Sequence, residues 1–195
     1  SNNKLPYVIS PWVDVEQIKP IPYDENPIAR TFNPDEKKVI LYSGNMGVSH
    51  DIDSMLEVAR LLRDRKDLLF LFIGSGDKWQ DAVYFREKND LSNMQILSFQ
   101  PEERLPMTMA LATISFVALD VGAEELMVPS KVFYYMAAGS AVVGICHRDN
   151  ELCEIVEENE CGCTVRPGEP AALAMAVENL LDDPDQLELF RTNAR

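Results

Sequence analysis

Basic side chains are scarce in this chain: 18 lysines and arginines face 32 aspartates and glutamates, for a formal net charge of −14. Neutralising a nucleic-acid backbone or an anionic bilayer takes clustered lysine and arginine, so nonspecific binding to either is disfavoured. One small anion in a pocket stays compatible, because backbone amides and a helix terminus supply local positive potential. Long apolar runs are missing too, and none approaches the roughly 18–20 residues that span a bilayer. The first residues show no basic stretch leading into an apolar one, so no secretory signal is expected. Cysteine is limited to Cys146, Cys153, Cys161 and Cys163, with no C-x-x-C and only His147 nearby. That spacing describes no metal site. Four such thiols read as packing residues of a protein kept in a reducing cytoplasm.

What is present is enough for one domain with a sizeable core: 195 residues, 46% hydrophobic and 26% charged. Six of the twelve prolines fall in residues 1–37, which show little periodicity and read as an extended lead-in rather than packed structure. From Lys38 the pattern is regular. Apolar runs at 39–44, 68–76, 94–99, 114–119, 141–146 and 162–167 alternate with helical stretches. In the first of these, Ile52, Met55, Leu56, Ala59 and Leu62 mark one helical face. Consecutive apolar positions within the runs indicate strands buried on both faces, as parallel sheets require. The expected fold is therefore α/β, a doubly wound parallel sheet of about six strands in the order 3-2-1-4-5-6.

Such sheets bind ligands at the carboxyl ends of their strands, beside the point where strand order reverses. Three strand ends and one loop qualify. In "SGNMGVSHD", Gly44 and Gly47 let a backbone approach a phosphate ahead of a helix that starts near Ser49 or Asp51. The same residues also make an ordinary strand-to-helix turn with an N-cap. In "FIGSGDKW", Gly74, Ser75 and Gly76 offer the same choice. In "SFQPEERLP", Phe99 and Gln100 are an aromatic and an amide suited to a heterocyclic base, or a phenylalanine that fills space. The fourth is "GAEELMVPSKVFYYMAAG". Pro129, Ser130 and Lys131 fall at the start of a helix that ends on Gly139. A lysine there opposes the helix dipole by about 0.3–1 kcal/mol, which makes sense if an anion lies between them. Glu124 and Glu125 precede the helix, either to accept hydrogen bonds from sugar hydroxyls or as solvated loop acids.

Taken together these stretches resemble the C-terminal, donor-binding domain of a GT-B glycosyltransferase, in glycosyltransferase family four. "VISPWVD" resembles the family's hinge, and "ILYSGNMG" and "FLFIGSGD" its first two strands with their glycine turns. "NMQILSFQPEERLP" resembles the segment that reaches the nucleotide base. "VPSKVFYYMAAGSAVVG" resembles the helix and strand that follow, and "CGCTVRPGEPAALAMAVENLLDDP" the late strand, turn and helix. The Pro-Ser-Lys form is similar to bacterial members that build capsule, O-antigen and exopolysaccharide chains.

The resemblance implies a Rossmann-like domain at 38–195, a hinge and lead-in at 1–37, and an N-terminal acceptor domain outside this chain. It implies a retaining transfer from a nucleotide diphosphate sugar, by default a uridine one, to a lipid-linked or other glycan acceptor. No metal or other cofactor is implied, and no nucleic-acid partner. The intact protein would be cytoplasmic or peripheral at the inner membrane face, touching membrane only through the missing half, and the isolated domain would not catalyse. The family's two glutamates eight apart fall here on Leu126 and Tyr134, and its diphosphate-gripping arginine and lysine on Asn45 and near His50 or Asp51. The implied donor set is Gly44, Asn45, Gly47, His50, Gly74, Ser75, Gly76, Phe99, Gln100, Ser130, Lys131 and Tyr134, with Glu124, Glu125 and Lys131 at the chemistry. A nucleotide-sugar 2-epimerase on the same fold, or a domain that kept the fold and lost the site, are the alternatives.

Overall fold

The computed structural model describes residues 13–118, 130–148 and 150–195. After a short helix α1 (Ala29–Phe32), strands and helices alternate: β1 (Lys38–Asn45), α2 (Ile52–Leu61), β2 (Leu68–Ser75), α3 (Trp79–Lys88), β3 (Met94–Leu97) and α4 (Leu105–Met109). They continue as β4 (Ile114–Ala118), α5 (Lys131–Ala137), β5 (Ala141–Ile145), α6 (Glu151–Glu158), β6 (Gly162–Val165), α7 (Pro170–Asp182) and α8 (Pro184–Asn193). All six strands are parallel, in the order β3-β2-β1-β4-β5-β6, as the sequence pattern leads one to expect. The order reverses between β1 and β4, so the carboxyl end of β1 faces the crevice where such sheets hold ligands.

Alternate residues of each strand feed two apolar layers. Ile40, Tyr42, Phe70, Phe72 and Phe116 pack beneath α2 and α7. Val39, Leu41, Leu71, Ile73 and Val117 pack beneath α4, α5 and α6. Both faces are covered, which is why the strands read as continuous apolar runs. Helix α2 buries Ile52, Met55, Leu56 and Ala59, the face its periodicity marks, and Asp51 caps it by accepting from Ser54 N–H at 3.2 Å. Asp51 also accepts from Gly168 N–H at 2.7 Å, tying the turn after β6 to the start of α2. The far end of α5 is capped from α8 and the residues after it: Arg191 donates to Gly139 O and Arg195 to Ala137 O, at 3.0 and 3.1 Å. Those guanidiniums sit where a helix dipole favours cations.

Two expectations need correction. The described part of the proline-rich lead-in is packed: Ile18, Ile28, Ala29 and Phe32 are buried, and Asn26 donates to Met107 O of α4 at 2.7 Å. Proline there limits regular structure without preventing burial, because Asn33 and Tyr23 supply the bonds that a ladder would have given. The cysteines do not all pack as thiols either. Cys146, just after β5, and Cys153 on α6 form a disulfide across the β5–α6 turn, with Cα atoms 6.7 Å apart. Cys161 and Cys163 remain thiols, and burial pushes both up to about 11. Among the described residues no helix is long and apolar enough to cross a membrane.

Two glycines separate steric need from conformational need. A Cβ on Gly162 would lie 1.7 Å from Val142 O of the neighbouring strand, whereas one on Gly168, at φ +76°, would meet nothing within 4 Å. Gly162→Ala should therefore destabilise by about 3 kcal/mol or more, by forcing β6 off β5. Gly168→Ala should cost only the left-handed backbone, about 1 kcal/mol. Urea denaturation of both variants checks the ranking, and equal losses would contradict it.

Candidate functional site

The site begins where β1 and β2 end side by side. Gly44 pairs with Gly74 and Asn45 with Ser75, so the two glycine turns leave the sheet in register. A Cβ on Gly74 would fall 1.8 Å from Gly44 O, and one on Gly76 would fall 2.8 Å from Met46 O. Met46 N–H then donates to Ser75 O at 2.7 Å, and Lys78 N–H to Met46 O at 2.9 Å. These glycines bring two turns together. That close approach is the structural option the sequence leaves open, and it is the one used at Gly74 and Gly76.

Beneath the turns lies a polar knot. The buried Tyr42 hydroxyl donates to Asn45 O at 2.6 Å and stands 3.0 Å from His50 Nδ1. His50 Nδ1 is also 2.6 Å from Asn45 O. A carbonyl only accepts, so Nδ1 carries the imidazole proton in this arrangement. Lys78 anchors the same loop by donating to His50 O at 3.0 Å and pairing with Asp53 at 2.6 Å. Lys131, the first residue of α5, reaches in from the other side of the sheet reversal. Its ammonium is 4.6 Å from the Tyr42 ring centroid and 3.3 Å from the hydroxyl. The aromatic face offsets the unfavourable end of the helix, so this lysine has a cation–π partner of its own. A Cβ on Gly44 would come within 2.5 Å of Lys131 Nζ. That ammonium is the far end of a flexible side chain and could move aside; what favours glycine at position 44 is its backbone, at φ +147°.

Over this knot opens a cavity of about 240 Å³ between the ends of β1 and β2, the turn after β3, α4 and the start of α5. Of the residues singled out in the sequence, Gly44, Phe99, Gln100, Ser130, Lys131 and Tyr134 line it. Asn45, Gly47 and His50 stand beside it on the β1 turn, and Gly74, Ser75 and Gly76 on the adjoining β2 turn, but none of these lines it. Glu124 and Glu125 lie outside the described residues, as does most of the hinge-like stretch. Phe99 is 55% exposed at the mouth, since β3 stops at Leu97 and the chain turns away before the aromatic. Ser130 is the N-cap of α5 and makes no capping bond.

The walls hold residues that the sequence reading passes over. Ile73, Leu105, Thr108 and Met109 make an apolar inner side, and Glu102 stands at the opening. Tyr135 is fully buried, accepts from Ser43 N–H at 2.7 Å and donates to Ser43 O at 3.3 Å. Burial pushes its ionisation well above the usual phenol range, so it serves as a neutral clamp on β1. Thr108 is the one hydroxyl in the apolar stretch "LPMTMALA", and Tyr42 the one polar-tipped residue in "VILY"; both signals were there to be read. Among the described residues no three histidine, cysteine, aspartate or glutamate side chains gather as a metal site. The arrangement is a largely apolar pocket whose wall also carries a lysine and a serine.

Known proteins resemble this chain in sequence and in fold. Residues 37–183 match the family model described as glycosyl transferases group 1. WbjE of Pseudomonas aeruginosa, which bears the name of a glycosyltransferase, is 24% identical over 174 residues, 89% of this chain and 43% of that protein. WcaI of Escherichia coli K12, named as a glycosyl transferase of colanic acid biosynthesis, is 32% identical over 124 residues, 64% of this chain and 30% of its own length. The chain thus spans less than half the length of these relatives. Among solved structures, Anabaena HepE in complex with UDP and glucose superposes with a TM-score of 0.74 at 17% identity, covering 94% of this chain and 49% of that one. The C-terminal domain of a group 1 glycosyl transferase from Francisella tularensis superposes at 0.70 with 16% identity, covering 93% and 94%. At such identities these two establish the fold, the C-terminal half of the GT-B architecture.

The Tyr42 hydroxyl bonds to the β1 turn and to Lys131, while its ring supports the cation. Tyr42→Phe keeps the ring and removes the hydroxyl, so it should destabilise the fold by about 1–2 kcal/mol. Chemical denaturation measures this directly. No loss would show that the knot is not holding the turn.

Proposed function

The chain belongs to the glycosyl transferases group 1 family, and on that footing we propose that its cavity holds the nucleotide diphosphate of a sugar donor. The observation that carries this reading is the mixed lining of one cavity: Lys131 and Ser130 from the start of α5 share it with Phe99 and apolar residues of α4. A diphosphate suits the first and a base the second. The relatives support the reading by name, and HepE by the UDP and glucose in its structure. Uridine is the default base on the same ground.

Residues 38–195 act as the donor-binding domain of a longer protein whose other half presents a lipid-linked or other glycan acceptor hydroxyl, with residues 1–37 as hinge and lead-in. The bond from the sugar's anomeric carbon to the diphosphate breaks, and the nucleoside diphosphate leaves with the bonding pair. A new bond forms to the acceptor oxygen, whose proton is released, and the anomeric configuration is retained. Lys131 stabilises the charge that grows on the leaving phosphate, which is electrostatic catalysis and calls on no metal or other cofactor. Asn45, Gly47 and His50 border the diphosphate end, and Tyr134 takes the ribose side in place of a carboxylate. Glu124 and Glu125 accept from the sugar hydroxyls. Polysaccharide assembly, carried out in the cytoplasm or at the membrane's inner face, is the setting that fits these relatives.

Lys131→Ala tests where the diphosphate lies. Charge-assisted contacts of this kind are worth about 1.5–3 kcal/mol, so uridine diphosphate should bind about ten- to a hundredfold more weakly. Bare uridine should lose far less. Calorimetry on the two ligands decides it: equal losses, or none, would remove Lys131 from the phosphate.

A further inference from the structure

Two asparagines are buried in the lead-in, and they are tied down differently. Asn33 bonds within it: its side-chain amide donates to Lys37 O at 2.8 Å and its side-chain carbonyl accepts from Lys37 N–H at 3.0 Å. Asn26, 5% exposed, reaches across the chain instead. Its side-chain amide donates to Met107 O at 2.7 Å, and its side-chain carbonyl accepts from Ile28 N–H at 3.2 Å. Met107 belongs to α4, a helix of five residues whose Leu105 and Met109 line the cavity. Helix ends leave carbonyls that the helix itself cannot meet. Here the turns that follow pass Met107 O over: Ala110 N–H goes to Pro106 O, Leu111 N–H to Thr108 O and Ala112 N–H to Met109 O. Asn26 supplies the missing donor from the lead-in. The lead-in also reaches α5, where Pro20 packs against Gly139 and Ile18 shares an apolar layer with Val132 and Tyr135. No described residue of the lead-in lines the cavity itself.

We infer that Asn26 is a positioning residue for the cavity: its bond to Met107 O fixes α4, and through α4 it makes nucleotide binding and the packing of the lead-in depend on each other. The inference rests on the nucleotide reading of this cavity and adds the contact through which residues outside it take part. A helix as short as α4 has few hydrogen bonds of its own to hold it, so its place is set by what it meets around it. A buried carbonyl left without a donor is unfavourable, and without Asn26 the helix shifts to find another. Any such shift carries Leu105 and Met109, and the cavity wall, with it. The coupling is reciprocal: the factor by which the bond raises ligand affinity is the factor by which the ligand favours the bond. On the donor-domain reading residues 1–37 are the hinge, so an occupied cavity is registered there through one asparagine.

Asn33 provides the control, since its loss loosens the lead-in without removing a bond to α4. Wild type, Asn26→Ala and Asn33→Ala are titrated with the diphosphates of uridine, guanosine, adenosine and thymidine. Both variants should melt below wild type. For the nucleotide that wild type binds most tightly, Asn26→Ala should bind about three- to tenfold more weakly, while Asn33→Ala should stay within about twofold. Amide exchange in wild type reads the reverse direction. Saturation with that nucleotide should slow Ile28 N–H, which bonds to the Asn26 side chain, about three- to tenfold more than Lys37 N–H, which bonds to Asn33. Equal losses of affinity in the two variants, or none, would reduce Asn26 to a structural residue and overturn the inference. Equal slowing of the two amides would do the same, and that comparison holds even where Asn26→Ala fails to fold. Each of these outcomes leaves the nucleotide reading standing. Silence of the wild type toward all four nucleotides would overturn the nucleotide reading and this inference with it.

Discussion

The contact between β1 and β2 at Gly44 and Gly74 sets the two glycine turns beside the cavity, because both turns take their level from how closely these strand ends approach. With no room for a Cβ between Gly74 and Gly44 O, both turns leave the sheet at one level. Met46 then bonds across to Ser75, and Lys78 reaches back to the loop through Met46 O and His50 O. The open side of Gly44 admits the stem of Lys131, and the Tyr42 ring below receives its charge. A larger residue at position 74 would part the strands, lift the β1 turn and move the lysine together with it. The two glycines thus do their work through backbone approach, and the cation through aromatic support.

Helix α5 shows the same economy. A lysine at its first position opposes the dipole, but the helix is only seven residues long, Tyr42 faces the charge, and two guanidiniums from the chain's end complete the opposite terminus. Arg191 belongs to α8 and Arg195 follows it, while Pro20 of the lead-in packs against Gly139 at the same end of α5. Residues at both extremes of the described chain therefore hold one short helix, and that helix carries the cation of the site. The fold couples positions that are far apart in sequence to a side chain whose placement has to be exact to within a hydrogen bond.

The architecture was legible because its signal is local and repeated. Apolar runs without alternation, each closed by glycine or a polar turn, leave few solutions other than a parallel sheet covered on both sides, and the strand order follows from the usual crossover rules. The lining of the cavity by Gly44, Phe99 and Gln100 was legible because they follow strand ends, and by Ser130 and Lys131 because they open a helix beside them, where such sheets place ligands; Tyr134 came only from the family resemblance. What escaped was whatever depends on pairing across the chain. Tyr42 and Thr108 are buried polar residues inside apolar stretches, and apolar patterning reads over them. The Cys146–Cys153 pair escaped because their approach is made by the β5–α6 turn and not by a short motif. The packed lead-in escaped because its few anchors, Ile18, Asn26 and Phe32, follow no period at all.

A strongly negative chain and a locally positive cavity wall are compatible once distance is considered. Charges scattered over the surface and separated by more than a Debye length, about 8–10 Å in physiological salt, are largely screened from one another. A half-buried ammonium beside the cavity is screened far less. Lys131 is of that kind: it stands half-buried against the Tyr42 ring at the cavity wall, where the low dielectric around it lets one positive charge act locally although carboxylates dominate the chain as a whole.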